Sequence, residues 1–275
     1  MPELPEAEVV ARQLRERLLG AVWRDCWIGR PDIVRQGLDT LESYRSARLT
    51  AVERVGKSVV LTWARDREPR YLVAELGMTG LLLFRSPADH YQKHTHVVLF
   101  LDGVQESELR YWNPRRFGRI YLLDPSELER FRARRFGCDP LTVAWDTFRD
   151  LVKKRRGRLK TLLMHQQSIA GIGNIYANEI LHRAGLHPYR VASRLRTATI
   201  KHLYDTIRHV LMEAIEDGGS SVKDFLAPDG RRGQYARRHL VYDKTGLPCP
   251  NRCGRTIRRL KAERSSFYCP ACQRK

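Results

Sequence analysis

The sequence is short of acidic residues: 31 Asp and Glu stand against 50 Lys and Arg, so its 275 residues carry a formal net charge of +19. This excess makes a polyanion the expected partner. Long apolar runs are also missing, because none approaches the roughly 18 residues that a membrane-spanning helix needs. The acidic start lacks the basic and apolar regions of a signal peptide. We therefore expect a cytosolic protein with no membrane association.

Cysteine is scarce and unevenly placed. Four of the six cysteines lie in the last 27 residues, whereas Cys26 and Cys138 are isolated. This distribution indicates a metal site in a reducing compartment. The end of the chain is also strongly basic, since residues 231–275 hold thirteen Lys and Arg against Asp243 and Glu263. This terminal segment is therefore a prime candidate for contact with phosphates.

The apolar pattern divides the chain into a β-rich part and a helical part. Apolar side chains mark one face of a first helix that ends at Gly20, and short β-type runs follow at residues 58–63, 71–76, 81–84, 96–101 and 119–123. These runs favour an antiparallel β-sandwich with the first helix packed on it. After a turn at 137–140, helices are predicted over 159–167, 174–184 and 197–217. The first two of these form a compact helix-turn-helix.

The four clustered cysteines form the most specific motif. Cys249 and Cys253 are separated by three residues and Cys269 and Cys272 by two, with fifteen residues between the pairs. Such spacing suits four thiolates on one tetrahedral Zn²⁺, and no open position remains to activate water, so the metal would be structural. Two disulfides, or four unrelated thiols, are the less favoured alternatives.

Two turns hold residues that suit DNA. The turn at 171–174, Gly-Ile-Gly-Asn, stands at a helix start whose free N–H groups can hold a phosphate, although such glycines often have purely steric reasons. Six Lys and Arg at 153–160 favour the phosphate interpretation. The turn at 113–118, Asn-Pro-Arg-Arg-Phe-Gly, sets two cations beside a ring that could enter a duplex. Taken alone, this second turn is more often a hairpin with its ring in the core.

The amino terminus offers a nucleophile. Pro2 is small enough for Met1 to be removed, which would leave a secondary amine at the positive end of a helix. Since an α-amino group titrates near about 8, a useful fraction is neutral at physiological pH. Glu3 could move protons beside it. The structural alternative is an acidic helix entry with two prolines.

Together these motifs resemble the formamidopyrimidine-DNA glycosylase family, bacterial base-excision enzymes that remove oxidised purines. The similarity runs in order along the whole chain, through residues 1–8, Lys57, 76–80, 114–118, 171–179, 223–226 and the cysteines with Arg264. The Pro-Glu-Leu-Pro-Glu start is similar to this family rather than to the endonuclease VIII type, whose opening usually has Gly in place of Leu4.

The resemblance implies an α+β fold in three parts: an antiparallel β-sandwich with a packed N-terminal helix over residues 1–136, a helix-two-turn-helix domain over 137–230 and a zinc finger over 231–275. One structural Zn²⁺ would be held by Cys249, Cys253, Cys269 and Cys272. The implied partner is double-stranded DNA with oxidised bases or abasic sites, bound in the cleft between the domains. A monomer at the bacterial nucleoid is expected.

The implied chemistry is glycosylase and abasic-site lyase activity on 8-oxoguanine and formamidopyrimidines. The Pro2 amine attacks C1′ of an extruded nucleotide, Glu3 and Glu6 move protons as the base leaves, and the resulting Schiff base undergoes β,δ-elimination. Lys57 and Arg264 complete the implied catalytic set by holding phosphates around the lesion.

The resemblance also implies a set of DNA contacts. Met78, Arg115 and Phe117 would fill the gap in the duplex, and the loop at 221–235 would cover the flipped base. The other DNA-binding residues that the resemblance implies are His96, Lys160, Asn174 and Tyr235.

Several positions depart from the family's usual pattern, and we interpret them as tuning affinity or lesion range. Glu75 stands where a phosphate-contacting His is common, and His165 stands where an Asp is usual. Thr95 and Asn113 replace common aspartates. The first cysteine pair has one residue more than the usual spacing.

Two alternative functions stay open. One is the same chemistry on oxidised pyrimidines, which the lesion loop decides. The other is a zinc-finger protein that binds DNA without cutting it. The amino terminus distinguishes the second alternative, because a pure binder has no need of a free Pro2 amine beside Glu3.

Overall fold

The computed structural model describes residues 2–66, 68–84, 89–222, 225–261 and 264–274. The chain forms two compact units: unit 1 comprises Met1–Arg134 and Asp217–Ala236, and unit 2 comprises Arg135–Glu216 and Arg237–Lys275. Among the described helices, none combines the length and the apolarity that crossing a bilayer requires. The boundaries predicted at 136/137 and 230/231 stay predictions. Residues 217–236 return to unit 1, a feature that the prediction of three consecutive domains does not include.

Unit 1 is built on helix α1 (Leu4–Leu18) and a nine-stranded sheet in the order β2-β9-β5-β4-β3-β1-β7-β8-β6. The strands are β1 (Val22–Ile28), β2 (Val34–Gln36), β3 (Arg48–Val55), β4 (Ser58–Arg65), β5 (Glu68–Glu75), β6 (Leu81–Leu83), β7 (Thr95–Asp102), β8 (Glu108–Trp112) and β9 (Arg119–Leu123). Helix α2 (Pro125–Arg135) follows the last strand. Leu128 and Phe131 supply its buried side chains, and this pattern was too weak to predict the helix.

The sheet has two halves that enclose one core. β1 pairs with β3 through Val22 opposite Arg48 and with β7 along its length. Trp23 from one half meets Trp63 from the other edge-to-face, with ring centroids 5.1 Å apart. The predicted sandwich is therefore confirmed. One detail differs, because β2 pairs with β9 in parallel, which is possible since the intervening strands supply the long crossover that a parallel pair needs.

Helix α1 covers the sheet because its apolar residues fall on one face. Pro5 suits its first turn, and Val10, Leu14 and Leu18 are buried where the helix packs on β3 and β4. The start of α1 therefore lies beside the sheet, and Pro2 and Glu3, which precede it, belong to unit 1.

Unit 2 contains α3 (Trp145–Lys154), α4 (Leu159–Met164), α5 (Asn174–Arg183), α6 (Thr197–Glu216) and a hairpin of β10 (Arg258–Leu260) and β11 (Ser266–Tyr268). The predicted starts of α4, α5 and α6 are confirmed. Helix α4 ends before the predicted 167, because the chain turns at His165, whose N–H bonds the carbonyl of Leu162. Helix α3 was not predicted as a separate element.

Candidate functional site

The amino-terminal turn is buried and carries two carboxyl groups. Pro2, Glu3 and Glu6 are all buried, and Glu3 caps helix α1. The Glu3 side chain accepts the N–H of Glu6, while Glu6 Oε2 accepts the N–H of Glu3 at 2.7 Å. This reciprocal capping box places both carboxylates at the positive end of the helix, beside Pro2.

Glu6 also holds a distant segment of unit 1. Its Oε1 accepts the backbone N–H of Ser220 at 2.6 Å. Gly219 adopts a φ of +83°, and a Cβ there would lie 2.9 Å from Glu6 Oε1. Glycine at 219 therefore permits the backbone to approach the carboxylate closely.

Lys57 lies in the tight turn between β3 and β4, where Val55 pairs with Ser58. This turn is tied to α1 by Arg54, whose Nε donates to Glu8 Oε2 at 2.9 Å and whose Nη1 donates to the carbonyl of Gly56 at 3.2 Å. Burial alone would raise the pKa of Glu8, but the hydrogen bonds and charges of Arg12 and Arg54 outweigh it and hold that pKa below its ordinary value.

Two turns of unit 1 pack together and present apolar side chains to solvent. Gly77 has a φ of +62°, and a Cβ at this position would lie 2.4 Å from the backbone N of Gly118. The turns thus touch through backbone, while Met78 is 39% exposed and Phe117 is 56% exposed. Arg115 lies 5.1 Å from the centre of the Phe117 ring. The interpretation of Phe117 as a core residue is wrong.

A hydrogen-bonded chain supports the second turn. The Asn113 amide donates to Tyr111 Oη at 3.0 Å, and Tyr111 donates to the carbonyl of Glu75 at 2.7 Å. The Glu75 carboxylate accepts the hydroxyl of Tyr121 at 3.1 Å. Two of the positions that depart from the family pattern, Glu75 and Asn113, are therefore part of the support beneath the turn.

The histidines near this turn differ in their surroundings. His96 is buried, and its Nε2 donates to the carbonyl of Asn113 at 3.0 Å. Burial lowers the pKa of His96 and outweighs the hydrogen bond to Asn113, which raises it, and the nearby charges of Arg30 and Arg116 lower it further. His94 is half-buried and lines the same cavity as Arg116. Sequence reasoning chose His96 and did not single out His94, which one residue separates from it.

In unit 2, Gln166 braces the glycine-rich turn. Its Oε1 accepts the N–H of Gly171 and its Nε2 donates to the carbonyl of Ile172, both at 2.8 Å. Asn174 begins α5 and is half-buried, with its carbonyl held by the Asn178 amide at 2.6 Å. Gln166 was missed by sequence reasoning, and a polar residue just ahead of a Gly-x-Gly turn was the available signal.

His165, which departs from the family pattern, lies at the same place. Its Nδ1 is 2.9 Å from Ser168 Oγ, and that oxygen also accepts Arg155 Nη2 at 2.7 Å. The histidine therefore joins a side-chain network that shapes the loop ahead of the glycine-rich turn.

Lys160 bonds the hairpin of unit 2 at the two residues that follow Arg264. Lys160 is only 5% exposed, and its Nζ donates to the carbonyl of Ser265 at 2.7 Å and to Ser266 Oγ at 3.0 Å. Arg264, which directly precedes Ser265 in the chain, is exposed. The structure thus places the Lys160 ammonium in the interior, bonded to the hairpin, and not at the surface.

The structure describes residues 221–222 and 225–235 of the loop expected to cover the flipped base. Lys223 and Asp224 lie outside the described residues, whereas Phe225 and Leu226 are buried in the core of unit 1. The Tyr235 side chain is buried as well, and its N–H donates to the carbonyl of Gly219 at 3.1 Å. The predicted DNA contact of Tyr235 stays a prediction.

The four clustered cysteines fit a tetrahedral metal. Their Sγ atoms all lie within 4.8 Å of one another, with 3.8 Å between Cys249 and Cys272 and 3.3 Å between Cys253 and Cys269. A zinc ion with Zn–S bonds of about 2.3 Å separates its sulfur ligands by about 3.8 Å. The thiols are free, so the disulfide alternative is wrong. In the longer first knuckle, Arg252 adopts a left-handed φ of 53°.

Comparison with known sequences assigns each part of the chain. Residues 1–120 match the formamidopyrimidine-DNA glycosylase N-terminal domain, 136–226 match its H2TH domain, and 246–274 match the zinc finger found in FPG and IleRS. The formamidopyrimidine-DNA glycosylase of Solibacter usitatus is 40% identical over 282 residues, covering 100% of both chains. That of Thermomicrobium roseum is 39% identical over 291 residues, covering 99% of each.

Solved structures agree with the sequence relatives. The MutM (Fpg) protein from Thermus thermophilus superposes with a TM-score of 0.85 at 36% identity, covering 99% of this chain and 98% of that one. A Lactococcus lactis Fpg in complex with DNA that contains an abasic site has a TM-score of 0.86 at 30% identity, covering 99% and 100%. A Lactococcus lactis FPG mutant bound to DNA that contains Fapy-dG has the same TM-score and identity and covers 100% of both chains.

Proposed function

This chain belongs to the formamidopyrimidine-DNA glycosylase family, and we propose that it removes oxidised purines through the amine of Pro2. It is a DNA glycosylase and abasic-site lyase of base-excision repair that acts on damaged double-stranded DNA and carries one structural zinc ion. Its proposed substrates are 8-oxoguanine and formamidopyrimidines. Its proposed place of action is the bacterial nucleoid.

The proposed reaction starts once Met1 has been removed. The lone pair of the Pro2 nitrogen attacks C1′ of an extruded nucleotide, and the bond from C1′ to the damaged base breaks as the base accepts a proton. The sugar ring opens to give a Schiff base between Pro2 and C1′. Successive eliminations then break the C3′–O and C5′–O bonds, so phosphates remain at both ends of the gap.

The single observation that carries this proposal is the position of Glu6. One carboxylate oxygen holds the N–H of Glu3 and the other holds that of Ser220, so the turn that bears Pro2 is held in place from two sides. Preorganisation of this kind is what a nucleophile needs, since it must meet a carbon atom at a set distance and angle. We assign proton transfer to Glu3, with Glu6 sharing it and positioning the turn.

The proposed DNA contacts divide into a wedge and a set of cations. Met78, Arg115 and Phe117 form the wedge: the exposed Met78 and Phe117 side chains enter the duplex. Lys57, Asn174 and Arg264 bind phosphates. The Lys160 ammonium bonds Ser265 and Ser266, which follow Arg264 in the hairpin. We therefore assign Lys160 as a residue that positions Arg264 for phosphate binding. In place of the buried His96, we assign the contact with DNA to His94.

Borohydride trapping tests the proposal. The protein is incubated with duplexes that carry 8-oxoguanine opposite cytosine, an oxidised pyrimidine, or no damage. We expect a covalent adduct with the 8-oxoguanine strand, mapped to Pro2 by mass spectrometry. An adduct confined to the oxidised pyrimidine would replace the substrate assignment, and an adduct at a lysine would overturn the nucleophile. No adduct despite tight binding would identify a non-catalytic DNA-binding protein.

A further inference from the structure

A cavity of about 440 Å³ opens on unit 1 beside the turn at 113–118. It lies between the end of β1 and the start of β7, and none of the described residues that line it is acidic. Its lining includes the aromatic and basic side chains of Trp27, Arg30, Lys93, His94, His96 and Arg116.

The cavity is positively charged. Arg30, Lys93 and Arg116 are cations at neutral pH. Among the described residues, Asp32 pairs with one of these cations: its Oδ1 is 2.9 Å from Arg30 Nε. The hydrogen bond from Arg30, together with the charge of Arg116, lowers the pKa of Asp32. Asp32 offsets one of the three cations, and the described lining residues include no acidic side chain, so the cavity favours an anion of the size of a phosphate.

Trp27 forms an apolar wall of the cavity. Its side chain is 50% exposed, and its ring lies directly over the backbone of Gly29, where a Cβ would come within 2.3 Å of the ring. An indole supported on one side and open on the other is a suitable platform for a base or a sugar.

The turn at 113–118 sends its two arginines to different places. Arg115 lies over the Phe117 ring, whereas Arg116 lines the cavity. Arg116 has a φ of 53°, a left-handed conformation that changes the direction of its side chain relative to its neighbours. The cavity therefore adjoins the proposed wedge.

We propose that this cavity binds one nucleotide of the DNA, next to the base step that Phe117 enters. The phosphate lies against Arg30, Lys93 and Arg116, and the base or deoxyribose lies against Trp27. The volume is within the range of about 300–1,000 Å³ that small-ligand sites have, so it suits one nucleotide. The proposal rests on the proposed function in one respect, namely that the protein engages DNA at the Phe117 wedge.

The stacking contact is tested by equilibrium binding to a duplex with a tetrahydrofuran abasic analogue, measured by fluorescence anisotropy. We expect Trp27→Ala to weaken binding about 5- to 50-fold, the loss of stacking on one base, and Trp27→Phe to retain most of the affinity. Leu19→Ala is the matched control, because Leu19 is 51% exposed in the same unit and does not line the cavity. It should bind as the parent does.

The phosphate contact is tested by salt dependence and by charge removal from the DNA. Arg30→Gln should lower the slope of log affinity against log salt by about 1. Uncharged methylphosphonates are then placed at single positions along both strands. A methylphosphonate at the phosphate that the cavity binds should weaken DNA binding by the unsubstituted protein, but it should not weaken binding by Arg30→Gln any further. This phosphate should lie next to the step that the wedge enters.

Two results would overturn the cavity assignment. One is a Trp27→Ala variant that binds as tightly as Leu19→Ala, and the other is a methylphosphonate scan in which no position depends on Arg30. Borohydride trapping of the parent, run in parallel, separates this outcome from failure of the proposed function. If the unsubstituted protein forms the trapped adduct and Trp27→Ala binds DNA with unchanged affinity, only the cavity assignment is rejected. If the unsubstituted protein forms no adduct but Trp27→Ala still weakens DNA binding, the proposed reaction at Pro2 is rejected and the cavity assignment stands.

A second, independent observation concerns the zinc site. His182 on α5 is 2% exposed, and its Nε2 lies 3.8 Å from Cys249 Sγ. Its Nδ1 is buried and has no hydrogen-bond partner among the described residues. We infer that Nε2 carries the proton and that this N–H donates a hydrogen bond to the Cys249 thiolate when zinc is bound. Four thiolates on one Zn²⁺ leave two net negative charges, and a buried N–H donor stabilises them.

The rate of zinc transfer to a colorimetric chelator tests this role. His182→Phe should release zinc about 10-fold faster than the parent, whereas His182→Gln retains an N–H donor and should stay close to the parent. His239→Phe is the control, because His239 is another buried imidazole of unit 2. The Co²⁺-loaded protein should also show a shifted thiolate-to-metal absorption band in His182→Phe. Equal release rates together with equal spectra would overturn the inference.

Discussion

The carboxylate of Glu6 joins the backbone of Glu3 to that of Ser220, with hydrogen bonds of 2.7 and 2.6 Å. The two acceptor oxygens of one side chain thus connect the start of the chain to a segment 214 residues away. Because the side chain is buried, neither N–H has water as a ready replacement for it. The amino-terminal nucleophile therefore depends on a contact that local sequence cannot supply.

Replacing Glu6 by glutamine tests this dependence. A glutamine side chain has one acceptor oxygen, so one of the two N–H groups loses its partner. We expect Glu6→Gln to lower the free energy of unfolding by about 1–3 kcal/mol. We also expect single-turnover excision of 8-oxoguanine to slow by about 10- to 100-fold, as positioning losses do. An unchanged excision rate in a folded variant would reject the role of Glu6.

The nucleophile itself is tested at position 2. We expect Pro2→Gly, or a blocked terminus, to abolish strand cleavage and leave duplex binding largely intact, since the phosphate contacts and the wedge are elsewhere in the chain. The measurements are cleavage of a labelled duplex and anisotropy with the same DNA. Cleavage that survived undiminished would refute the proposed nucleophile.

The exposed ring of Phe117 predicts a specific loss. Phe117→Ala should slow processing of a damaged duplex more than it weakens binding to undamaged DNA, because the ring acts only where a base has left the stack. Its exposure also predicts a melting temperature close to that of the parent. Leu19→Ala serves as the control for loss of an exposed apolar side chain. Equal loss in binding and processing would point to a role in folding.

The ion pair between α1 and the Lys57 turn predicts a pH-dependent stability. Since the pKa of Glu8 is held below its ordinary value, folding favours the ionised carboxylate. Its contribution is complete at neutral pH and is lost as the pH falls through the lowered pKa. We expect Glu8→Gln to cost about 1–2 kcal/mol at pH 7.

Urea unfolding of Glu8→Gln and the parent, repeated at falling pH, measures this difference. The gap between the two should close below the lowered pKa of Glu8. Glu16→Gln is the matched control, because Glu16 lies exposed on the same helix and should show no such gap. A gap that stayed constant with pH would show that the ion pair is not its source.

Lys160 and Arg264 should separate stability from DNA contact. Lys160→Met leaves the carbonyl of Ser265 and the hydroxyl of Ser266 without this donor, so we expect a loss of about 1–3 kcal/mol in unfolding free energy. Arg264→Gln should leave stability unchanged and weaken phosphate binding. Thermal unfolding and the salt dependence of DNA binding distinguish the two. A stable Lys160→Met variant with weak DNA binding would place Lys160 on the DNA after all.

The sequence alone determined what depends on near neighbours. The spacing of Cys249, Cys253, Cys269 and Cys272 predicted the metal cluster, because ligands a few residues apart can reach one ion. Apolar periodicity predicted α1, α6 and most strands of the sandwich, since burial of one face is a local pattern. The net charge of the chain predicted a polyanionic partner, because net charge depends on composition and not on the fold.

The tertiary structure decided every assignment that depends on distant residues. Phe117 is exposed on a turn whose backbone packs against Gly77, and His96 is buried where its Nε2 donates a hydrogen bond to the carbonyl of Asn113. Lys160 is withdrawn from the surface by the hairpin at 265–266. Each of these results comes from contacts between segments far apart in the chain, and burial and hydrogen bonding across such distances exist only once the chain has folded.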